Sequence, residues 1–560
     1  MSELVLGPLV RYVDDTSATV WVETASAARV TVTAGEKSAS TRTFAAHGHH
    51  YALVELEDLT PGTHHPYVVD VDGEPVWPPT DSEFPPSVIA TLDPRKPLRM
   101  AFGSCRVSAS HDKAGNDAFG VDALRSFGLH MAGVTSGASQ EEQRWPDLVL
   151  FLGDQVYADE TSEEMQEFIK SRRSIDEPPG EELKDFEEYA HLYKLAWSDS
   201  ANRWLLSTLP SAMIFDDHDI RDDWNTSWTW RQEMEATSWW HDRVVGGLAS
   251  YWVYQHLGNL GPADRAEDAL WQRIATHDGD AELDITAELD ELADRADQQP
   301  ESYRWSHARD FGTQARLIVV DSRAARVLDP QNRSILDDDE MAWLDDRMRG
   351  DFDHLLIGTS LPFLMAPGLH HAEAASEAIA SGSRGRLASK VAERMRQLAD
   401  MEHWPAFQDG FRAVAEMTLA VAAGERGTAP RTITFLSGDV HHSYVVEAEP
   451  GSVSERRISS RILQAVCSPI RNPLPPAMQR VTAMSARRRA ASFARRLARW
   501  AGVTESPLDW EMTAGPWYDN NLATLELDPD GMRMWWSAGE VVDRQDRPVL
   551  RRVATVTGLG

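Results

Sequence analysis

Six apolar runs of strand length constrain this chain more than any other feature, because each stops at a residue that can ligate a metal, donate a hydrogen bond or carry charge. They are Leu98 to Cys105, Asp147 to Asp154, Met213 to Asp219, Ala315 to Arg323, Leu355 to Ser360 and Thr432 to Asp439. In the third, Met213-Ile214-Phe215 runs straight into Asp216-Asp217-His218-Asp219. Three carboxylates and an imidazole against a buried strand are costly unless a metal or a cationic partner takes up the charge. Open α/β sheets gather ligands outside the carboxyl ends of their strands, so six such endings predict one shared site.

The 88 acidic against 55 basic residues give a formal charge of -33. That balance repels nucleic acid and anionic membrane and concentrates divalent cations, so no nucleic-acid-binding surface is expected. No stretch reaches the roughly 18 consecutive apolar residues of a membrane span. The opening MSELVLGPLVRY has neither a basic n-region with an apolar h-region nor a twin-arginine signal, and the chain is read as cytoplasmic. Two cysteines, Cys105 and Cys467, make no disulfide framework, and a reducing compartment leaves Cys105 free to act as a thiolate. Oligomeric state is left open.

Residues 1 to 92 alternate apolar and polar, as in Ser17 to Thr24, Ala28 to Val32, Tyr51 to Leu56 and Pro66 to Val71, with turns at Asp14-Asp15, Gly35, Pro61-Gly62 and Asp72-Gly73. A small antiparallel β-sandwich of immunoglobulin or fibronectin III type is expected there. Its histidines, His47, His49, His50, His64 and His65, have no carboxylate beside them in sequence and read as solvated loop residues rather than a metal cluster. The proline-rich stretch from Val76 to Pro97 reads as a linker.

The second domain is expected over 97–560, with helical insertions at about 224–310 and 370–428. The first insertion carries Trp224, Trp228, Trp230, Trp239, Trp240 and Trp252, read as core in preference to a substrate-lining cap. The triplet Asp199-Ser200-Ala201 reads as a helix N-cap in preference to a serine nucleophile. A basic helix is expected at about 480–501. Its arginine-rich part, 487–499, is open to two readings, contact with anionic lipid or another polyanion, or pairing with the protein's own carboxylates.

A two-metal hydrolase needs a bridging carboxylate, terminal ligands and a hydroxide that attacks phosphorus in line. Asp154, after Gly153, suits the bridge, and Tyr157 can reach back as a phenolate. Cys105 as a thiolate favours iron or zinc, with a buried inert thiol as the bland alternative. Asp217 and Asp439 offer hard oxygens to a second cation, and His441 a neutral nitrogen. His218 is the candidate proton donor to the leaving oxygen, its ring oriented by Asp216 or Asp219. Arg106 and Arg323 are candidate phosphate forks, with structural ion pairs as the alternative.

At these residues the chain resembles the alkaline phosphatase D (PhoD-like) family of the metallophosphoesterase superfamily. The matching blocks are Phe102-Gly103-Ser104-Cys105, Gly153-Asp154-Gln155-Val156-Tyr157, Asp216-Asp217-His218-Asp219, Asp321-Ser322-Arg323 and Ser437-Gly438-Asp439-Val440-His441, in family order and spanning almost the whole chain. The resemblance implies an α/β fold, a four-layer α/β/β/α sandwich behind an N-terminal antiparallel β-sandwich. It implies hydrolysis of phosphomonoesters or phosphodiesters by a metal-held hydroxide, with a small phosphate ester as substrate. It further implies Fe(3+) at the Cys105, Asp154 and Tyr157 positions and Ca(2+) at the Asp154, Asp217, Asp439 and His441 positions, with Zn, Mn or Mg as alternatives at one of them. The chain departs from the wider superfamily in lacking an opening Asp-x-His, in carrying Asp217 where Asn is usual, and in ending a strand at Ser360 where a histidine ligand is usual. Two further readings compete: a catalytically silent metal-stabilised scaffold, and a phospholipid phosphodiesterase aided by the basic helix.

Overall fold

The computed structural model describes residues 3–135, 144–380, 402–528 and 531–559. The first ninety residues form two antiparallel sheets. One holds Leu4–Val13, Ala18–Thr24, His49–Leu56 and Phe44–Ala46, and the other Lys37–Arg42, Arg29–Ala34, His64–Val71 and Glu74–Trp77. Alternate residues such as Val20, Val22, Val30, Val32, Val54, Val69 and Val71 close one core between them, as period-two patterning requires. The stretch expected to be a linker is partly sheet: Val88–Ala90 pairs with His64–Val71. All its prolines stand outside that three-residue strand, Pro85 and Pro86 just before it, where no ladder donor is lost.

The strand runs singled out above build two larger sheets. Ser211–Ile214, Leu148–Leu152 and Arg99–Gly103 are mutually parallel, and Leu522–Asp528, Gly531–Glu540 and Val549–Val556 continue that sheet antiparallel. Ala315–Val320, His354–Thr359, Thr432–Ser437 and Arg461–Val466 are the parallel centre of a seven-stranded sheet with antiparallel strands at both margins. The sheets meet face to face: a side chain at Gly358 would stand 3.1 Å from Leu152. On the other face of the second sheet, Ile318, Ile357, Ile433 and Phe435 pack with Leu344, Val414 and Leu419 from helices Asp338–Arg347 and Gln408–Ala422. Cover on both faces is why these strands read as unbroken apolar runs.

The segment after Asp223 supplies helices Trp228–Glu235, Trp240–Tyr251, Pro262–Glu267, Ala269–Ala275 and Thr286–Gln298. Trp224, Trp230, Trp239, Trp240 and Trp252 are buried in the core, and Trp228 is exposed. A two-residue strand, Leu283–Asp284, adds itself parallel to Phe44–Ala46. Asp199 caps helix Ser200–Leu206, accepting from the backbone N–H of Ala201 and Asn202. Of the insertion expected over 370–428, residues 381–401 lie outside the described residues.

Tertiary contact overturns the solvated reading of three N-terminal histidines. His47 meets Asp290 at 2.8 Å, His50 meets Glu282 at 2.8 Å, and His49 bridges Glu23 at 2.8 Å and Glu187 at 2.9 Å. Burial pulls the His49 pKa down, but the hydrogen bonds that its ring donates to Glu23 and Glu187 outweigh it and leave the pKa raised. A raised folded pKa stabilises fully below the unfolded value of about 6.5 and loses that contribution as pH climbs through the folded one. The stability advantage of wild type over His49→Gln, read from thermal melts, is therefore expected to be largest below about pH 6, at about 1 kcal/mol, and to shrink in alkali. An advantage that grows with pH would refute the bridge.

Candidate metal centre

All six strand endings come together, and five of them bring charged or ligating side chains. Cys105 follows Arg99–Gly103, Asp154 follows Leu148–Leu152, Asp216 and Asp217 follow Ser211–Ile214, Arg323 follows Ala315–Val320, and Asp439 follows Thr432–Ser437. The backbone turns sharply to aim these side chains back over the strand ends. Cys105, Asp154, Asp439 and His441 take φ values of 57, 50, 65 and 51°, a region that costs a non-glycine residue on the order of 1 kcal/mol and is concentrated at functional sites. Gly153, at φ 98°, makes the turn before Asp154, and a side chain on it would stand 2.6 Å from the Asp216 Cβ.

Carboxylate oxygens of Asp154, Asp216, Asp217 and Asp439 all lie within 4.8 Å of one another. The Cys105 sulfur sits 3.3 Å from Asp154 Oδ2. Against this charge stands Arg323, fully buried, paired with Asp216, 3.1 Å from Asp217 and 2.6 Å from Glu402. His403 donates from Nε2 to Asp439 at 2.9 Å and lies 3.3 Å from Glu373 through Nδ1. Burial pushes the Asp154 and Asp216 carboxyls well up, opposed by His218 and Arg323 respectively and reinforced by the neighbouring aspartates. Asp439 goes down to about 2, because the His403 hydrogen bond overcomes its burial. Burial, then Asp154, also pushes up the Cys105 thiol and the Tyr157 phenol. Asp154 Oδ1 and Asp216 Oδ2 are buried with no hydrogen-bond partner. Carboxylates packed this closely, with oxygens left over, form a donor set that fits hard cations, and a thiol at its edge fits a softer one.

His218 stands beside this set. Its Nδ1 donates to Asp159 at 2.9 Å, and its ring lies 4.7 Å from that of Tyr157. Burial lowers the His218 pKa, but Asp159 and then Asp217 and Asp154 outweigh it, and the imidazole is pushed well above its ordinary value. Asp217, His218 and Asp222 also converge as a second group.

The sequence pattern of the family described as PhoD-like phosphatase matches residues 129–507, and that of a domain of unknown function, DUF7800, matches residues 1–89. The chain belongs to the PhoD-like phosphatase family. No curated protein matches it. A solved structure titled "Structure of PhoD" shares the fold, with a TM-score of 0.55 and 13% identity over 99% of this chain and 92% of that one. Membership supports a phosphoesterase, and PhoD-like phosphatases are metal-dependent, in keeping with the acidic cluster.

Within this PhoD-like fold the expected site residues fare differently. Cys105, Asp154, Asp217 and Asp439 are brought together, with Asp216 added to them. Tyr157 accepts a hydrogen bond from Asn472 at 3.2 Å. His441 belongs to neither acidic group, and burial lowers its pKa to about 4, so its imidazole is neutral. Neither Asp216 nor Asp219 orients His218, because Asp159 does. Asp219 instead accepts the backbone N–H groups of Asp154 and Asp216, each at 2.9 Å, and the amide of Gln255 at 3.1 Å, which fixes both strand ends. Arg106 is no phosphate fork: its guanidinium is spent on Asp122 at 2.8 Å and the carbonyl of Ala196 at 2.9 Å. Arg323 is enclosed by three carboxylates, so it too answers to the ion-pair alternative. Ser360, the sixth ending, accepts the N–H of Gly438 at 2.9 Å and bonds Ser322 at 2.9 Å.

Sequence reasoning missed Asp159, Glu373, Glu402 and His403. Asp159 was visible as a carboxylate two residues past Tyr157. Glu402 and His403 lie in the insertion left without a role, off any strand end, and only the adjacent acid and imidazole ahead of Trp404-Pro405 marked them.

Proposed function

We propose that this chain is a metal-dependent hydrolase of phosphomonoesters or phosphodiesters, with Cys105, Asp154 and Tyr157 holding Fe(3+) and Asp154, Asp217, Asp439 and His441 holding Ca(2+) or another divalent ion. One observation carries the reading: four aspartates, three of them buried and Asp439 half-buried, share one small volume, and Asp154 Oδ1 and Asp216 Oδ2 have no partner. Unfilled, that arrangement costs several kcal/mol of desolvation and like-charge repulsion, which a fold keeps only where cations offset it. Cations held there would neutralise the negative charge carried by the phosphoryl oxygens as the group is transferred.

The protein's own groups do the rest. Asp159 holds Nδ1 of His218 and so leaves Nε2 to give a proton to the departing oxygen. The raised pKa supports His218 starting protonated, the form a general acid needs. Asp219 is a positioning residue for Asp154 and Asp216. Arg323 and Arg326, both on Glu402, hold the floor of the site at fixed charge. His403 presents Asp439 with one oxygen tied and one free. We read the compartment as the cytoplasm, supported by two free, buried cysteines, Cys105 and Cys467.

The purified protein is expected to contain iron with calcium or another divalent ion by elemental analysis, and to hydrolyse aryl phosphates. Chelation should abolish turnover and lower the melting temperature, and readdition should restore both. Metal present without turnover of any phosphate mono- or diester would favour the silent scaffold and end the hydrolase reading.

A further inference from the structure

Helix Arg488–Ala501 divides its surface three ways. One stripe, Ala498 and Ala501, packs on Ala375 of helix Pro367–Ala378. A second, Arg488, Arg495 and Arg499, pairs with Glu511, Glu505 and Asp509, as the self-pairing reading expected. The third is apolar and faces water: Phe493 is 72% exposed and Leu497 36%. Arg489 and Arg496 stand one turn from Phe493 on the same side, exposed, and with the exposed Arg487 they form no ion pair among the described residues. Helix Pro476–Ser485, just before, exposes a matching row at i, i+3 and i+6, Met478, Val481 and Met484, beside an exposed Arg480 that forms no ion pair among the described residues.

Exposed apolar rows on two consecutive helices, rimmed by arginines that pair with no acid among the described residues, are unusual on a chain of charge -33. An aromatic and a leucine flanked by arginines match the acyl boundary and headgroups of an anionic leaflet. Elsewhere the acidic surface is repelled by such a leaflet, so contact is confined to this patch and the molecule binds in one orientation. We propose that helices Pro476–Ser485 and Arg488–Ala501 dock the protein on anionic phospholipid membranes, with Phe493 and Leu497 entering the lipid and Arg489 and Arg496 meeting the headgroups. Charge complementarity and exposed apolar area argue for lipid over an acidic protein partner.

Full-length protein is to be co-sedimented with vesicles of phosphatidylcholine alone and of phosphatidylcholine with phosphatidylglycerol. Binding is expected only to the second, falling as salt rises. Arg489→Gln with Arg496→Gln should weaken it about 25-fold, from about 5-fold per arginine at the surface. Phe493→Ser with Leu497→Ser should weaken it about tenfold or more, with near-ultraviolet circular dichroism unchanged because both side chains are exposed. Leu497→Cys carrying an environment-sensitive dye should shift to the blue on the anionic vesicles, a readout that needs no loss of binding. Equal binding to both vesicle types, no binding to either, or no dye shift would overturn the proposal, and capture of an acidic protein in place of vesicles would move the surface to that partner.

Discussion

Asp154→Asn is expected to lower aryl phosphate hydrolysis by at least about a hundredfold and to purify with less bound metal, while the metal-free protein melts no lower than metal-free wild type. The three outcomes share one cause. Asp154 is buried among three other aspartates, and its Oδ1 has no partner. Removing its charge takes away a ligand, and losses of about 10–100-fold already follow when residues merely supporting a ligand are changed. The same change relieves repulsion in the empty cluster. Asparagine is the right probe because it keeps the shape and tolerates the φ of 50° at this position. Activity and metal content equal to wild type would remove Asp154 from the centre.

His218→Ala should lower turnover by about 10²–10⁴-fold on alkyl phosphates, whose leaving oxygens need a proton, and by much less on aryl phosphates with acidic leaving groups. Metal content should stay at the wild-type level, which separates a proton donor from a ligand, the other role open to a histidine that converges with Asp217 and Asp222. Asp159→Asn should reproduce part of the loss, since an amide facing Nδ1 no longer favours the tautomer and charge that His218 needs. Lost metal in His218→Ala, or equal losses on both ester classes, would end the proton-donor role.

These expectations rest on different kinds of legibility. Strand ends could be read because an apolar run buried on both faces is itself a sequence pattern, and its last residue marks where the chain leaves the sheet. That reasoning found Cys105, Asp154, Asp217 and Asp439, and it implied their meeting. It had no purchase on partners drawn from helices and loops, whose positions no periodicity encodes, so Asp159 replaced the carboxylates adjacent to His218 in sequence. The arginine-rich helix was visible as a charge run, but which arginines its neighbours neutralise depended on where Glu505, Asp509 and Glu511 came to lie.

By itself the sequence determined the mixed α/β fold with its sheet-rich beginning, the family, and the chemistry of the strand-end residues, because burial and alternation are written residue by residue. Tertiary structure alone decided how charge is distributed among those residues. It enclosed Arg323 between Asp216, Asp217 and Glu402, tied His403 to Asp439, turned Arg106 to Asp122, and left two aspartate oxygens without partners. Electrostatic roles depend on distances of a few ångströms between residues up to hundreds of positions apart, and only the folded chain sets those distances.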